Sequence, residues 1–236
     1  MKQPEGFENA ACHTHVCYLH KSLYGLKQAQ RAWFDKLKCA LLGWGFKSSV
    51  SNHSLFIRKQ AAGVILLLVY VDDILVTGSD IKQVHQVIAA FNAKFALKTL
   101  SSLKYFLGFE APRDQHGLHL SQSKYARDLL QKTNMAAAKP YPTPASGSLK
   151  LTISDGAPFF DPSLYRSTIG ALQYLTLTRP DIAFVVNKLS QFLKAPTQFH
   201  WLACKRVLRY IIGTLNFGIQ FTPAKHLVLE GFVNVD

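Results

Sequence analysis

The chain has 236 residues, is 48% hydrophobic, and carries 27 Lys and Arg against 14 Asp and Glu, a net charge of +13. This length can bury one large core or two smaller ones, and the charge favours a polyanionic partner such as nucleic acid. The four cysteines suggest no disulfide framework. The longest apolar run, Val64–Val71, is far shorter than the roughly 20 residues that span a bilayer, and no signal segment follows Met1. We therefore expect an intracellular protein, in the cytoplasm or nucleus, that is neither secreted nor partnered with a membrane.

The first predicted helix covers residues 28–42. Trp33, Leu37 and Leu41 recur at four-residue intervals, as they would on the buried face of a helix, and Gly43 is a typical helix stop. Basic side chains, among them Arg31, lie along the same segment. They could contact phosphates, although a solvated helix face is the more common explanation for such charges.

Two adjacent carboxylates, Asp72 and Asp73, stand in the middle of the apolar segment 64–77. A charged side chain is costly to bury unless it is paired or bound to a metal. The flanking Val, Ile, Leu and Tyr residues favour strands, and a tight turn near Val71 and Asp72 would make a β-hairpin with both carboxylates at its tip. Such a tip suits a hard cation of the kind that also binds phosphates. The alternative is a surface turn whose acidic side chains face water.

Helical spacing of apolar residues follows Asp80, and we expect this helix to pack on the sheet. A second hairpin is predicted from segments 105–111 and 118–121, which flank a turn signal at residues 114–117. Its role could be structural or functional. Residues 133–163 are rich in Pro and Gly and predict a linker.

The last third of the chain is predicted to be helical. Segments 164–178, 181–193 and 198–213 have helical spacing and are separated by proline-containing breaks. Lys205, Arg206 and Arg209 make this region basic. A helical region with this charge could contact the backbone of a nucleic-acid duplex.

Five sequence blocks resemble those of a known family. Tyr70-Val71-Asp72-Asp73 inside a hydrophobic hairpin resembles the catalytic palm motif of reverse transcriptases. The other four blocks resemble, in order, parts of the polymerase of copia-type LTR retrotransposons: His20–Trp33, Tyr105–Glu110, Thr178–Ala183 and Lys205–Thr214. Five blocks in the order of the family are far less likely by chance than one short motif. The resemblance covers nearly the whole chain.

The resemblance implies an α+β fold, with a reverse-transcriptase palm of antiparallel sheet and packed helices, followed by a helical thumb or connection region and with the fingers largely missing. The implied domains are a partial palm at residues 1–132, a linker at 133–163, a thumb-like or connection-like region at 164–221, and the start of a ribonuclease H-like strand at 222–236. Both ends are expected to be cut relative to the family.

The resemblance also implies RNA-directed DNA polymerase activity, by two-metal nucleotidyl transfer with Mg²⁺ or Mn²⁺. Asp72 and Asp73 would be the catalytic residues and metal ligands. The residues implied to contact primer or nucleotide are Tyr70, Val71, Gly25, Lys27, Gln28, Leu107 and Gly108. Those implied to contact the nucleic-acid backbone are Arg31, Lys205, Arg206 and Arg209.

The catalytic carboxylate set is expected to be incomplete in this chain. In the family, another aspartate lies on a strand that precedes the segment resembling residues 1–7. Glu5 and Glu8 lie in a predicted loop and Asp35 lies in mid-helix, so none of them is a good substitute. The alternative function is therefore an inactive retroelement remnant that binds nucleic acid through its basic surface. Expected partners are an RNA or DNA template-primer, deoxynucleoside triphosphates and the rest of a retrotransposon polyprotein associated with DNA integration, in a cytoplasmic virus-like particle or the nucleus.

Overall fold

The computed structural model describes residues 3–8, 11–12, 14–21, 23, 25–61, 63–71, 73–95, 103–147, 151–153, 156–223 and 231. The chain divides into two compact units, Met1–Ser101 and Ser102–Asp236. Each unit combines helices with an antiparallel sheet, so the predicted α+β class is confirmed. Within the described residues, no helix is both long and apolar enough to cross a bilayer.

The described residues of the N-terminal unit form two helices and one sheet. Helix α1 covers Ala29–Gly43, and helix α2 covers Ile81–Phe95. Between them lies a sheet with its strands in sequence order: β1 Lys47–Ser48, β2 Leu55–Gln60, β3 Gly63–Tyr70 and β4 Asp73–Gly78. Both predicted helices are confirmed, and the Asp80 carboxylate caps α2 by accepting a hydrogen bond from the Lys82 N–H at 3.0 Å.

The core of this unit lies between the helices and one face of the sheet. Side chains alternate along a strand, so Ile65, Leu67 and Val69 of β3 are buried. They share the core with residues of both helices, including Leu37 and Phe91. The alternate residues of β3 point to the opposite face, which ends at the exposed Tyr70. The predicted packing of α2 on the sheet is confirmed.

The C-terminal unit begins with short strands: β5 Tyr105–Phe106, β6 Phe109–Glu110, β7 Arg113–Asp114 and β8 Gly117–Ser121, with β9 Gly218–Phe221 paired to β8. The predicted turn at 114–117 is confirmed, since β7 and β8 pair around it. The segment predicted as one strand, 105–111, is instead divided by a tight turn at Leu107 and Gly108, whose φ angles are 49° and 81°. Positive φ values take the backbone out of the strand conformation.

Four helices complete this unit: α3 Ser123–Lys132, α4 Pro162–Leu175, α5 Ala183–Ser190 and α6 Gln198–Gly213. The last three were predicted, and α3 was not. Their apolar faces form one core around fully buried side chains such as Tyr165, Leu172 and Val207. Helix α4 begins inside the predicted linker, because Pro162 occupies its first turn and the Asp161 carboxylate accepts a hydrogen bond from the Leu164 N–H at 2.9 Å.

The described residues between α3 and α4 contain neither helix nor strand, apart from an isolated bridge between Pro158 and Thr197. The domain boundaries at 132, 163 and 221 stay predictions. The ribonuclease H-like strand predicted at 222–236 falls almost wholly outside the described residues.

Arg179 links a short 3₁₀ turn at Pro180–Ile182 to the end of α6. Its guanidinium group is 3% exposed and forms two hydrogen bonds with the Asp181 carboxylate, at 3.0 and 2.7 Å. Two more N–H groups bond the carbonyl and hydroxyl oxygens of Thr214, at 2.9 and 2.7 Å. The guanidinium also lies over the rings of Tyr210 and Phe217, 5.6 and 5.4 Å from their centres. The buried guanidinium charge is therefore paired with a carboxylate and hydrogen-bonded to further oxygens.

Candidate active site

The β3–β4 hairpin places an acidic residue at its tip. Its register sets Tyr70 opposite Asp73, which leaves Val71 and Asp72 as a two-residue turn and confirms the predicted hairpin. Asp72 lies outside the described residues. Val71 has a φ of 51°, and a positive φ at the first central residue is common to the two turn types that suit tight hairpins. A β-branched residue is strained in this conformation.

The tip is accessible to solvent. Tyr70 is 54% exposed and Val71 is 48% exposed, and Asp73 is exposed as well. Because Tyr70 and Asp73 are directly opposed, their side chains project from the same face of the sheet. That face is the one turned away from the helices. The hairpin therefore presents a carboxylate and an aromatic ring side by side.

Helix α1 contacts the turn of the hairpin. The indole Nε1–H of Trp33 donates a hydrogen bond to the Val71 carbonyl at 3.3 Å. The ring of Trp33 is held edge-to-face against Phe95, with centroids 5.3 Å apart. Trp33 was predicted only as a residue of the buried face of α1. Its membership of the His20–Trp33 block was the one sequence signal for a role near the hairpin.

Gly25, Lys27 and Gln28 lie in the turn that leads into α1, and Arg31 lies in its first turns; all four are exposed. Gly25 has a φ of 91°, and a side chain at that position would meet nothing within 4 Å. At about 1.5 Å of rise per helical residue, Gln28 lies roughly 7.5 Å along the axis from Trp33. Gln28 is thus about one and a half helical turns from the residue that bonds the hairpin. The roles of Gly25, Lys27, Gln28 and Arg31 stay predictions.

The turn at Leu107 and Gly108 is held by side chains of its own unit. The Tyr174 hydroxyl donates a hydrogen bond to the Leu107 carbonyl, and a Cβ on Gly108 would lie 3.4 Å from the Tyr174 ring. Glu110 accepts a hydrogen bond from the Lys124 N–H at 2.7 Å and so caps α3. The contact of Leu107 and Gly108 with the primer stays a prediction.

The predicted backbone contacts on α6 also bind part of the protein itself. Arg206 bonds the hydroxyl and carbonyl oxygens of Thr143 at 2.7 and 3.3 Å, and Arg209 bonds the Lys139 carbonyl at 2.7 Å. Both guanidinium groups lie over the Tyr141 ring, 4.1 and 4.9 Å from its centre. The Lys205 ammonium lies 5.9 Å from the centre of the Trp201 ring. Phosphate contacts by these residues stay predictions.

No group of three His, Cys, Asp or Glu side chains that could share a metal ion occurs among the residues that the structure describes, which exclude Asp72. Glu5, Glu8 and Asp35 are all exposed. Carboxylate oxygens are the ligands that hard cations prefer, but two adjacent carboxylates are fewer than a two-ion site requires.

Comparison with known proteins identifies the family. The sequence pattern of the reverse transcriptase (RNA-dependent DNA polymerase) family matches residues 1–147. The whole chain is 47% identical to part of the retrovirus-related Pol polyprotein from transposon RE2 of Arabidopsis thaliana, of which it covers 16%. It is 36% identical to part of the retrovirus-related Pol polyprotein from transposon TNT 1-94 of Nicotiana tabacum, of which it covers 18%.

A shorter relative is an uncharacterized mitochondrial protein of Arabidopsis thaliana, 42% identical over 72% of this chain and 70% of its own length. No solved structure matches the chain. The order of the five sequence blocks, the acidic hairpin and these matches agree. The chain belongs to the reverse transcriptase family of copia-type LTR retrotransposons.

Proposed function

We propose that this chain carries the catalytic hairpin of an RNA-directed DNA polymerase, which extends a primer on an RNA or DNA template. The observation that carries the proposal is the exposed tip of the β3–β4 hairpin, with Asp73 beside Tyr70 and Asp72 next in sequence. Membership of the reverse transcriptase family supports it.

Asp72 and Asp73 would hold Mg²⁺ or Mn²⁺, because carboxylate oxygens are the ligands that these hard cations prefer. When bound, two divalent ions stabilise the charge on the attacking and leaving oxygens of phosphoryl transfer. Two carboxylates do not complete such a site. We expect a further carboxylate from another segment of a longer polyprotein, of which this chain would be one part.

The remaining site residues would bind and orient the substrates. Tyr70 and Val71 would lie beside the primer terminus, and Lys27 would neutralise phosphate charge near the nucleotide. Gly25 supports close approach of a ligand, because the space beyond its Cα is open. Gln28 would donate and accept hydrogen bonds, and Leu107 and Gly108 would contact the primer strand. The basic side chains that would contact the nucleic-acid backbone are Arg31, Lys205, Arg206 and Arg209.

We further propose that residues 1–132 form part of a palm and residues 164–221 a thumb-like or connection-like region. In this arrangement, the basic surface of α6 would contribute to binding of the template-primer duplex. The net charge of +13 supports a nucleic-acid partner. Deoxynucleoside triphosphates and the rest of the polyprotein would be the other partners.

A second candidate function is an inactive retroelement remnant that only binds nucleic acid. It is favoured by the exposed, scattered positions of Glu5, Glu8 and Asp35, none of which belongs to a described cluster of acidic side chains. Binding through the basic surface needs no metal site, so it would persist without catalysis.

Primer extension tests the proposal. Residues 1–236 alone should not extend a primer, whereas a longer protein that adds the upstream polymerase segment of a close relative should. Asp72→Asn or Asp73→Asn should abolish extension by the longer protein, because the ligands of the catalytic ions would be lost. Asp128→Asn, which removes an exposed carboxylate of α3, is the control and should keep activity. Activity that survives in the Asp72 and Asp73 variants would overturn the proposal.

A further inference from the structure

Two strained turns in the described residues lie at predicted substrate contacts. Among the described residues, three other than glycine have positive φ values: Val71 at 51°, Leu107 at 49° and Asn134 at 54°. Asn134 follows the end of α3, where asparagine commonly adopts this conformation. Val71 and Leu107 lack such a side chain, and a strained backbone of this kind costs about 1–3 kcal/mol and persists only when its surroundings enforce it.

Both strained residues are held in the same way. The carbonyl of Val71 accepts the indole N–H of Trp33 at 3.3 Å, and the carbonyl of Leu107 accepts the hydroxyl of Tyr174. In each case, an aromatic side chain on a helix donates to the carbonyl of the residue with positive φ. The two turns belong to different units of the chain.

The donor rings are themselves fixed. Trp33 packs edge-to-face on Phe95, with centroids 5.3 Å apart. Tyr174 contacts the rings of Phe109 and Tyr125 at 5.7 and 5.2 Å. These aromatic contacts limit the rotation of each donor ring and so restrain the direction of the carbonyl that it bonds. The Val71 carbonyl belongs to the peptide bond between Val71 and Asp72, so a hydrogen bond to it restrains the plane of that peptide bond.

We propose that Trp33 and Tyr174 are positioning residues, each of which locks a left-handed turn through its carbonyl and thereby orients the residue that follows, Asp72 or Gly108. The inference rests on the proposed function, in which the first turn binds divalent ions and the second contacts the primer. Each acts through the turn that it holds.

Trp33→Phe is the direct test of the first contact, because it keeps an aromatic ring and removes the donor N–H together with the five-membered ring that carries it. The scalar coupling that reports the φ angle of Val71 should move out of the left-handed range, and Mn²⁺ affinity should fall about tenfold, as for other residues that support metal ligands. Trp44→Phe is the control: it alters an aromatic contact with Phe91 in the same unit. It should leave both readouts unchanged, whatever its effect on stability.

An unchanged Val71 coupling in Trp33→Phe, or equal changes in the two variants, would overturn the inference. Absence of Mn²⁺ binding in the wild-type protein would instead count against the proposed function. The coupling measurement would then still decide whether Trp33 positions the turn.

Tyr174→Phe tests the second contact, with Tyr165→Phe as a matched control. Tyr165 also donates its hydroxyl to a backbone carbonyl, that of Leu189 at 2.8 Å, but within the helical core. Tyr174→Phe should change the scalar coupling that reports the φ angle of Leu107. It should also reduce the preference of the chain for binding a recessed primer end over a blunt duplex of equal length. Tyr165→Phe should lower stability alone. Equal effects of the two variants on the Leu107 coupling would overturn this assignment.

Discussion

Removal of the Arg179 guanidinium should be among the most destabilising single changes in the C-terminal unit. In Arg179→Ala, the Asp181 carboxylate and the oxygens of Thr214 lose four hydrogen bonds of 2.7 to 3.0 Å. Loss of one partner from a buried ion pair costs about 3–5 kcal/mol. The Asp181 side chain is 34% exposed, so water screens the charge that is left and the lower end of this range applies. The lost contacts with aromatic rings add about 0.5–1 kcal/mol each. We expect a loss of about 4 kcal/mol, a large part of the roughly 5–15 kcal/mol that stabilises a typical domain.

Urea unfolding of the full chain, followed by circular dichroism, measures this loss. Arg179→Lys keeps the charge but cannot form the planar, forked set of bonds, so it should lose about 2 kcal/mol. Arg206→Ala is the control, because its hydrogen bonds to Thr143 lie at the surface. Together with its contact with the Tyr141 ring, they should be worth about 1–2 kcal/mol. If Arg179→Ala were no more destabilising than Arg206→Ala, the link between the 3₁₀ turn and α6 would not stabilise the fold as described.

Three further outcomes are expected. Burial pushes the pKa of Asp181 up, but the hydrogen bonds and charge of Arg179 pull it further down, so the pKa lies below its ordinary value. The stability that this ion pair adds is therefore lost as the pH falls below about 4. Asp181→Asn should make the free energy of unfolding, measured in urea between about pH 5 and 2, less dependent on pH. An unchanged pH dependence would contradict this. Val71→Asn should raise stability in the same assay by about 1 kcal/mol, because asparagine tolerates positive φ, and a loss would argue against strain at the turn. The logarithm of the template-primer binding constant should fall with the logarithm of the salt concentration at a slope of roughly −4 to −7. The slope should be shallower by about 1 in each of Arg206→Ala and Arg209→Ala. Affinity that does not change with salt would exclude phosphate contacts.

Local patterns predicted most of the elements. The hairpin was predictable because its apolar strands and acidic turn are contiguous in sequence, and α1, α2 and the last three helices because their apolar residues recur with helical spacing. Helix α3 was missed although Ala126, Leu129 and Leu130 have helical spacing and are buried. It follows strand β8 almost directly, and the carboxylate that caps it, Glu110, lies 14 residues from the N–H that it bonds. Such distant caps leave no local signal.

The details of the candidate site depended on contacts between distant residues. Spacing assigned Trp33 to a buried helix face, but its hydrogen-bond partner Val71 is 38 residues away. The break at Leu107 depends on Tyr174, 67 residues further along the chain. Arg206 and Arg209 were recognised as basic residues, whereas their bonds to the 139–143 segment could be seen only in the folded chain.

Paramagnetic broadening by Mn²⁺ tests most directly whether the turn at Asp72 and Asp73 binds the divalent ions of a reverse transcriptase. Binding by the full chain should be weak, because two carboxylates leave the ion with most of its water ligands. We expect NMR signals of residues 70–73 and their strand neighbours to broaden first, and the effect to disappear in Asp72→Asn/Asp73→Asn but persist in Asp128→Asn. Equal broadening of the same signals in the double variant would place the ion elsewhere and contradict the assignment of this hairpin as the catalytic metal site.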